Sequence, residues 1–197
     1  MKTLMTALMV MAMASMASAG TFDLMTTTPY PEGTIESLDG AAEFSITDID
    51  GITATLRAMD ASDPNDELNQ TGSHFGINAS GSGDDTDQID ADSGETEFVT
   101  IFFDQDVFFN SIEVSSIGTS DEGSLTIGSN SPILFSASGL VDAGSVLLLQ
   151  GDSVLVSHET GNGFSFDAFT VTAIPEPATA CLVAGFGLLA LRRRRHA

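Results

Sequence analysis

Clusters of Gly, Asp and Asn interrupt the chain every 8 to 15 residues between Gly20 and Ile174. The segments between them are rich in Thr, Ser, Val, Ile and Phe, side chains that suit a pleated, half-buried surface. No amphipathic helical pattern and no repeat of fixed period appears in them. Short runs of this kind, bounded by turn residues at such intervals, predict an all-β sandwich or barrel. The expectation is a single jelly-roll-like β-sandwich domain over 20–174.

The strongest strand is EFVTIFF, 97–103, apolar on both faces over its second half, as a central and doubly covered strand would be. Asp104-Gln105-Asp106 then turns the chain, and VFFNSIEVSSI, 107–117, is expected back as the hairpin partner. Further strands are expected at 44–49, 52–59, 124–128, 146–149, 153–157 and 164–173. Phe164 and Phe166 stand out of phase with Phe169, Val171 and Ala173, which predicts a bulge near Asp167. Residues 61–71 and 80–95 read as long polar connections, and 20–31 as a loosely held lead-in.

The two ends follow other rules. Lys2, an uncharged apolar run and the small residues Ala17 and Ala19 have the layout of a secretory signal peptide, cleaved after Ala19. The apolar run is shorter than the ~20 residues of a spanning helix, which favours a signal peptide over an anchor. Near the other end, 178–191 carry no charge and Arg192, Arg193, Arg194 and Arg195 follow directly. Fourteen residues reach about 21 Å as a helix against a ~30 Å hydrocarbon core, enough to insert as a short transmembrane helix. Basic residues stay on the cytoplasmic side, so the body would stand outside.

Pro175-Glu176-Pro177, the apolar run and the arginine cluster, in this order and spacing, resemble the PEP-CTERM sorting signal of Gram-negative bacteria. The resemblance covers about 174–197. It implies export by the secretion machinery, a transient stay in the inner membrane, and cutting near the PEP motif by an exosortase-type membrane protease. The product would reach the cell surface or the extracellular space. The prolines make physical sense, because they hold the backbone extended and exclude helix there. Phe75-Gly76, Asn78, Ile89-Asp90 and Asp104–Val107 also resemble the bodies of such proteins. The organisation expected is a signal peptide over 1–19, the sandwich over 20–174 and the sorting signal over 175–197.

Removing both ends takes away one acid, Glu176, and five of six basic residues. The body keeps 27 acidic residues against Arg57, a formal charge of −26, where the whole chain carries −22. Nucleic acid is excluded as a partner, since its binding rests on neutralising phosphates with Lys and Arg. Cations, and surfaces presenting them, are the natural partners. The lone cysteine, Cys181, lies in the apolar tail, so no disulfide can staple the body.

Asp84, Asp85, Asp87, Asp90 and Asp92 fall within nine residues. Ca²⁺ takes six to eight oxygens, and alternating aspartates in a tight loop can supply them. The spacing is not that of an EF-hand, so the run reads either as a solvated acidic loop or as a structural calcium site, with Ile89 as its anchor to the core. Asp167, in FSFDAFTVT, lies in a stretch similar to the closing strand of bacterial jelly-roll and carbohydrate-binding sandwiches. That likeness implies a further structural Ca²⁺ ligand; the residues alone read as a solvent-facing Asp at a bulge.

Catalysis finds no motif: there is no G-x-S-x-G elbow and no H-E-x-x-H. No catalytic residue is expected, and His74 and His158 read as surface or hairpin residues. The expected function is therefore non-enzymatic: structural or adhesive in the extracellular matrix, with calcium bridging the protein to itself or to anionic extracellular polysaccharide. The alternative is an extracellular carbohydrate-binding module. It is weakened by the absence of Trp and a single Tyr, because sugars stack on exposed rings. An extracellular hydrolase is a minor third reading.

Overall fold

Alternation of side chains decides which segments pair and which way they face. In FVTIFF the first, third and fifth residues are half-buried while Val99, Ile101 and Phe103 are buried, so one face of this strand meets the core. The computed structural model describes residues 19–25, 42–47, 51–59, 67–70, 74–78, 88–92 and 95–174. Its strands are β1 (Ala19–Asp23), β2 (Glu43–Thr47), β3 (Thr53–Ala58), β4 (Glu67–Gln70), β5 (Phe75–Asn78), β6 (Ala91–Asp92) and β7 (Glu95–Thr96). They continue with β8 (Phe98–Phe103), β9 (Val107–Ser115), β10 (Glu122–Ile127), β11 (Ile133–Phe135), β12 (Gly139–Leu148), β13 (Ser153–Thr160) and β14 (Ser165–Ala173). Ala19–Ala173 form one compact unit; a second, Met1–Ser18 with Ile174–Ala197, lies outside the described residues except for Ile174.

Two antiparallel sheets face each other. One has the order β1-β14-β9-β12 and the other β11-β10-β13-β8-β3-β2. Numbering β1 and then β8 to β14 as first to eighth, the first sheet pairs first, eighth, third and sixth. The second pairs fifth, fourth, seventh and second, and this is the double Greek key order of a jelly roll. The β2-β3 hairpin extends the second sheet beyond β8. The described residues are thus all-β, as the turn spacing predicts.

Phenylalanines fill the space between the sheets. Phe169 stacks on Phe22 at 4.5 Å and lies 6.1 Å from Phe103 of the opposite sheet. Phe103 also meets Phe109 at 6.3 Å, and Phe135 meets Phe164 edge-on at 5.0 Å. Each fully buried Phe is worth about 1.5–3 kcal/mol of transfer free energy, and a body without disulfides rests on this core.

Three expectations need correction. Residues 107–117 are not the hairpin partner of 97–103, because the chain crosses at Asp104–Asp106 and β9 joins the other sheet. Asp104 Oδ1 accepts the Thr53 N–H at 2.9 Å, tying that turn to the start of β3. β8 is not covered on both faces, since its outer ring Phe102 lies under the Arg57 guanidinium at 4.8 Å. Residues 20–24 are no loose lead-in: β1 pairs with β14 along its length, and Phe22 and Leu24 are fully buried. The expected bulge near Asp167 is present, as a register shift between Phe166 and Ala168.

The strands also define two poles. β1 begins and β14 ends at one pole, where Ala19 pairs with Thr172. The starts of β10 and β14 and the ends of β9 and β13 lie at the other pole.

Candidate functional site

The pole away from the chain ends gathers buried polar side chains. β13 carries Val154, Val156 and His158 at alternate positions, all buried, so the strand that packs the core also sends an imidazole inward. Glu97, just before β8, is fully buried, and its carbonyl accepts the His158 N–H at 3.1 Å. Glu97 Oε2 accepts the Asp90 N–H at 2.9 Å, and the Glu97 N–H returns to the Asp90 carbonyl at 3.0 Å. Asp90 is itself buried, held between Ile89, which exchanges backbone hydrogen bonds with Phe164, and Gly163, where any Cβ would strike Asp90. His158 Nε2 is buried with no hydrogen-bond partner among the described residues.

Asp121 completes this pole from the β9–β10 loop. It is 5% exposed, and its two oxygens accept the Asn162 N–H at 2.9 Å and the Gly118 N–H at 2.7 Å. These bonds, first that from Asn162, hold its pKa below the ordinary 3.8 against the opposing effect of burial; Ser120 and the charge of His158 act in the same direction. Asp121 therefore stays ionised and pins two loops together. Gly161, with φ of 96°, passes so close to Asp121 that no side chain fits there.

The aspartates singled out in the sequence divide. Asp84, Asp85 and Asp87 lie outside the described residues. Asp92 stands in β6 opposite Glu95, and Asp90 is in the buried group above. Ile89 is fully buried, as an anchor for the loop would be. Asp167 does not face solvent: it is 7% exposed, and Oδ1 accepts the hydroxyls of Ser165 at 2.8 Å and Ser115 at 3.0 Å. Among the described residues, no three His, Cys, Asp or Glu side chains are grouped to hold a metal ion. Ala19 opens β1, while Ala17, Pro175, Glu176, Pro177 and Arg192 to Arg195 lie outside the described residues. No helix among the described residues is long and apolar enough to cross a membrane, and the expected apolar helix over 178–191 lies outside them.

Sequence reasoning missed Glu97, Asp121 and His158 as members of one group. The signal for His158 was present in the alternation VLVSH, which puts it on the face of Val154 and Val156. Glu97 and Asp121 carried no such signal in a body with 27 acids.

The fold defines the chain as an antiparallel all-β sandwich of jelly-roll order with a polar pole. No family model and no curated protein matches the chain. Among solved structures it is similar to the GH26-CBM35 β-(1,4)-mannanase of Podospora anserina, with 13% identity and a TM-score of 0.37. The match covers 82% of this chain and 29% of that one, so this chain spans less than a third of that structure.

Proposed function

We propose that the chain is an exported surface protein, processed at both ends, whose sandwich body is a non-catalytic structural or adhesive module of the extracellular matrix. The observation that carries this reading is the placement of the ends. Among the described residues β1 runs from Ala19 to Asp23, and β14 ends at Ala173, two residues before Pro175. Cuts after Ala19 and at Pro175-Glu176-Pro177 would therefore leave the described pairing of both strands intact but for Ala19. The strand ends next to both cuts, Ala19 of β1 and Ala173 of β14, lie at the pole opposite the polar one. The Glu97 and Asp121 carboxylates of that polar pole accept backbone N–H groups, and Asp90 and His158 are buried beside them, which suits a rigid support better than a catalytic cleft.

Mapping the terminal peptides of the released protein by mass spectrometry tests this. An N-terminus at Gly20 and a C-terminus near Pro175–Pro177 are expected. Released protein that still carries Met1 or the Arg192–Arg195 cluster would defeat the proposal.

A further inference from the structure

The outer face of the four-stranded sheet carries side chains that the fold itself does not call for. Two irregularities meet on it. The β12–β9 pairing jumps from Asp142↔Ser111 to Val146↔Phe109, so Ala143, Gly144 and Ser145 face the single residue Asn110. The β14–β9 pairing also shifts there, between Thr170 and Val171, and again leaves Asn110 out of register. Ser145 has a φ of 59°, the left-handed region that a residue with a Cβ rarely enters. Bulges commonly re-aim a side chain beside a functional site, and backbone held in a sparsely populated region clusters at ligand clamps.

The side chain so aimed is part of a row. Ser145 Oγ–H donates to Asn110 Oδ1 at 2.9 Å, and Asn110 Nδ2–H donates to Thr172 Oγ1 at 2.9 Å. Three strands thus present an amide between two hydroxyls. On one side of this row stand Leu147 and Phe108, paired in register, 49% and 38% exposed. On the other side the hydroxyls of Ser111 and Thr170 bond at 2.7 Å. Three carboxylates adjoin the patch: Asp142 at the sheet edge, whose Oδ1 already accepts the Gly144 N–H at 2.8 Å, Asp106 before β9, whose Oδ1 accepts the Gln150 N–H at 2.8 Å, and the exposed Glu113, paired with Leu140 beyond Ser111. The patch itself is uncharged, in a body of formal charge −26.

We propose that this patch binds an uncharged polysaccharide. The Phe108 ring offers a flat apolar face to the C–H side of a sugar ring, flanked by Leu147. Asn110, Ser145 and Thr172, fixed by their mutual bonds, offer donors and acceptors to sugar hydroxyls beside that ring. An anionic polymer would be repelled by the body, and a polycation would be drawn to its carboxylates and not to a neutral strip. The inference deepens the adhesive reading by giving it a surface and a ligand class.

The test is native electrophoresis of the full chain, with EDTA present, through gels containing β-glucan, galactomannan, xylan or dextran, and alginate as the anionic comparison. At least one uncharged polymer should retard the protein. Phe108→Ala should weaken that binding about tenfold or more, while Phe102→Ala, a ring on the opposite sheet, should leave it unchanged. Leu147→Ser, at an exposed position, should weaken it too and decides the matter if Phe108→Ala lowers the melting temperature. Retardation by none of the uncharged polymers, by alginate alone, or equally for wild type and the patch variants would overturn the proposal. Binding is read on purified protein, so failed export or cutting in the cell leaves this result standing, and failed binding leaves the processing reading standing.

Discussion

Phe22 is the residue whose removal most directly tests how the sandwich closes. It lies three residues past the expected cleavage site, on a strand at the sheet edge, yet its ring is fully buried. The ring lies 4.5 Å from that of Phe169 with an interplanar angle of 8°, and Phe169 in turn contacts Phe103, Phe109 and Phe166. Leu24, just beyond, donates its N–H to the Asp167 carbonyl at 2.8 Å and fixes the far end of the strand. Phe22→Ala removes a buried ring from a cluster that cannot close over the space, at a cost of about 3–5 kcal/mol. For a domain of this size each kcal/mol lowers the melting temperature by about 2–4 °C, so a fall of about 6–20 °C is expected. Phe108→Ala, at a half-exposed position on the outer face, should cost about 1 kcal/mol or less. Thermal denaturation of the two variants beside wild type reads the difference. Equal melting temperatures for Phe22→Ala and Phe108→Ala would refute β1 as an integral strand.

Two further outcomes follow from the polar pole. Asp121 has its pKa depressed in the folded state, so its contribution to stability is present above the ordinary aspartate value of 3.8 and is lost as pH falls through the lower folded value. Asp121→Asn turns a donor toward one of the two backbone amides that Asp121 accepts from and should cost about 1–3 kcal/mol at pH 7; the gap from wild type in urea titrations should shrink below about pH 4, and a gap constant with pH would contradict the assignment. If the acidic run around Asp90 holds calcium, millimolar Ca²⁺ raises the melting temperature, because a ligand that binds only the folded state stabilises it. That shift should vanish in Asp87→Asn/Asp90→Asn, and an unchanged shift would remove those two residues from the site.

How much was legible in the sequence depended on whether the signal was local. β3, β8 and β14, and the bulge at Asp167, were legible because alternation and its change of phase are properties of one strand. Pairing was not. Asp104-Gln105-Asp106 has the chemistry of a tight turn whether the chain returns to the same sheet or crosses to the other, and only the distant partners of β9, which are β12 and β14, decide. The first half of β12 escaped notice because Gly139, Asp142 and Gly144 read as turn residues, when in the structure they flank and form a bulge. β1 was hidden by its single large apolar core residue, Phe22, whose partner lies almost 150 positions away. At the candidate site Asp90 was legible beside Ile89, whereas Glu97 and Asp121 became distinct from the other acids only through burial created by the fold.

The address is the claim on which the account of this protein turns, and replacing Pro175, Glu176 and Pro177 together with Ala tests it most directly. Membrane and extracellular fractions of the exporting cells, compared by immunoblot, give the readout. An uncut, membrane-held form is expected in place of the released one, with the sandwich still folded because β14 ends at Ala173. Release at the wild-type level, with the wild-type C-terminus, would contradict it.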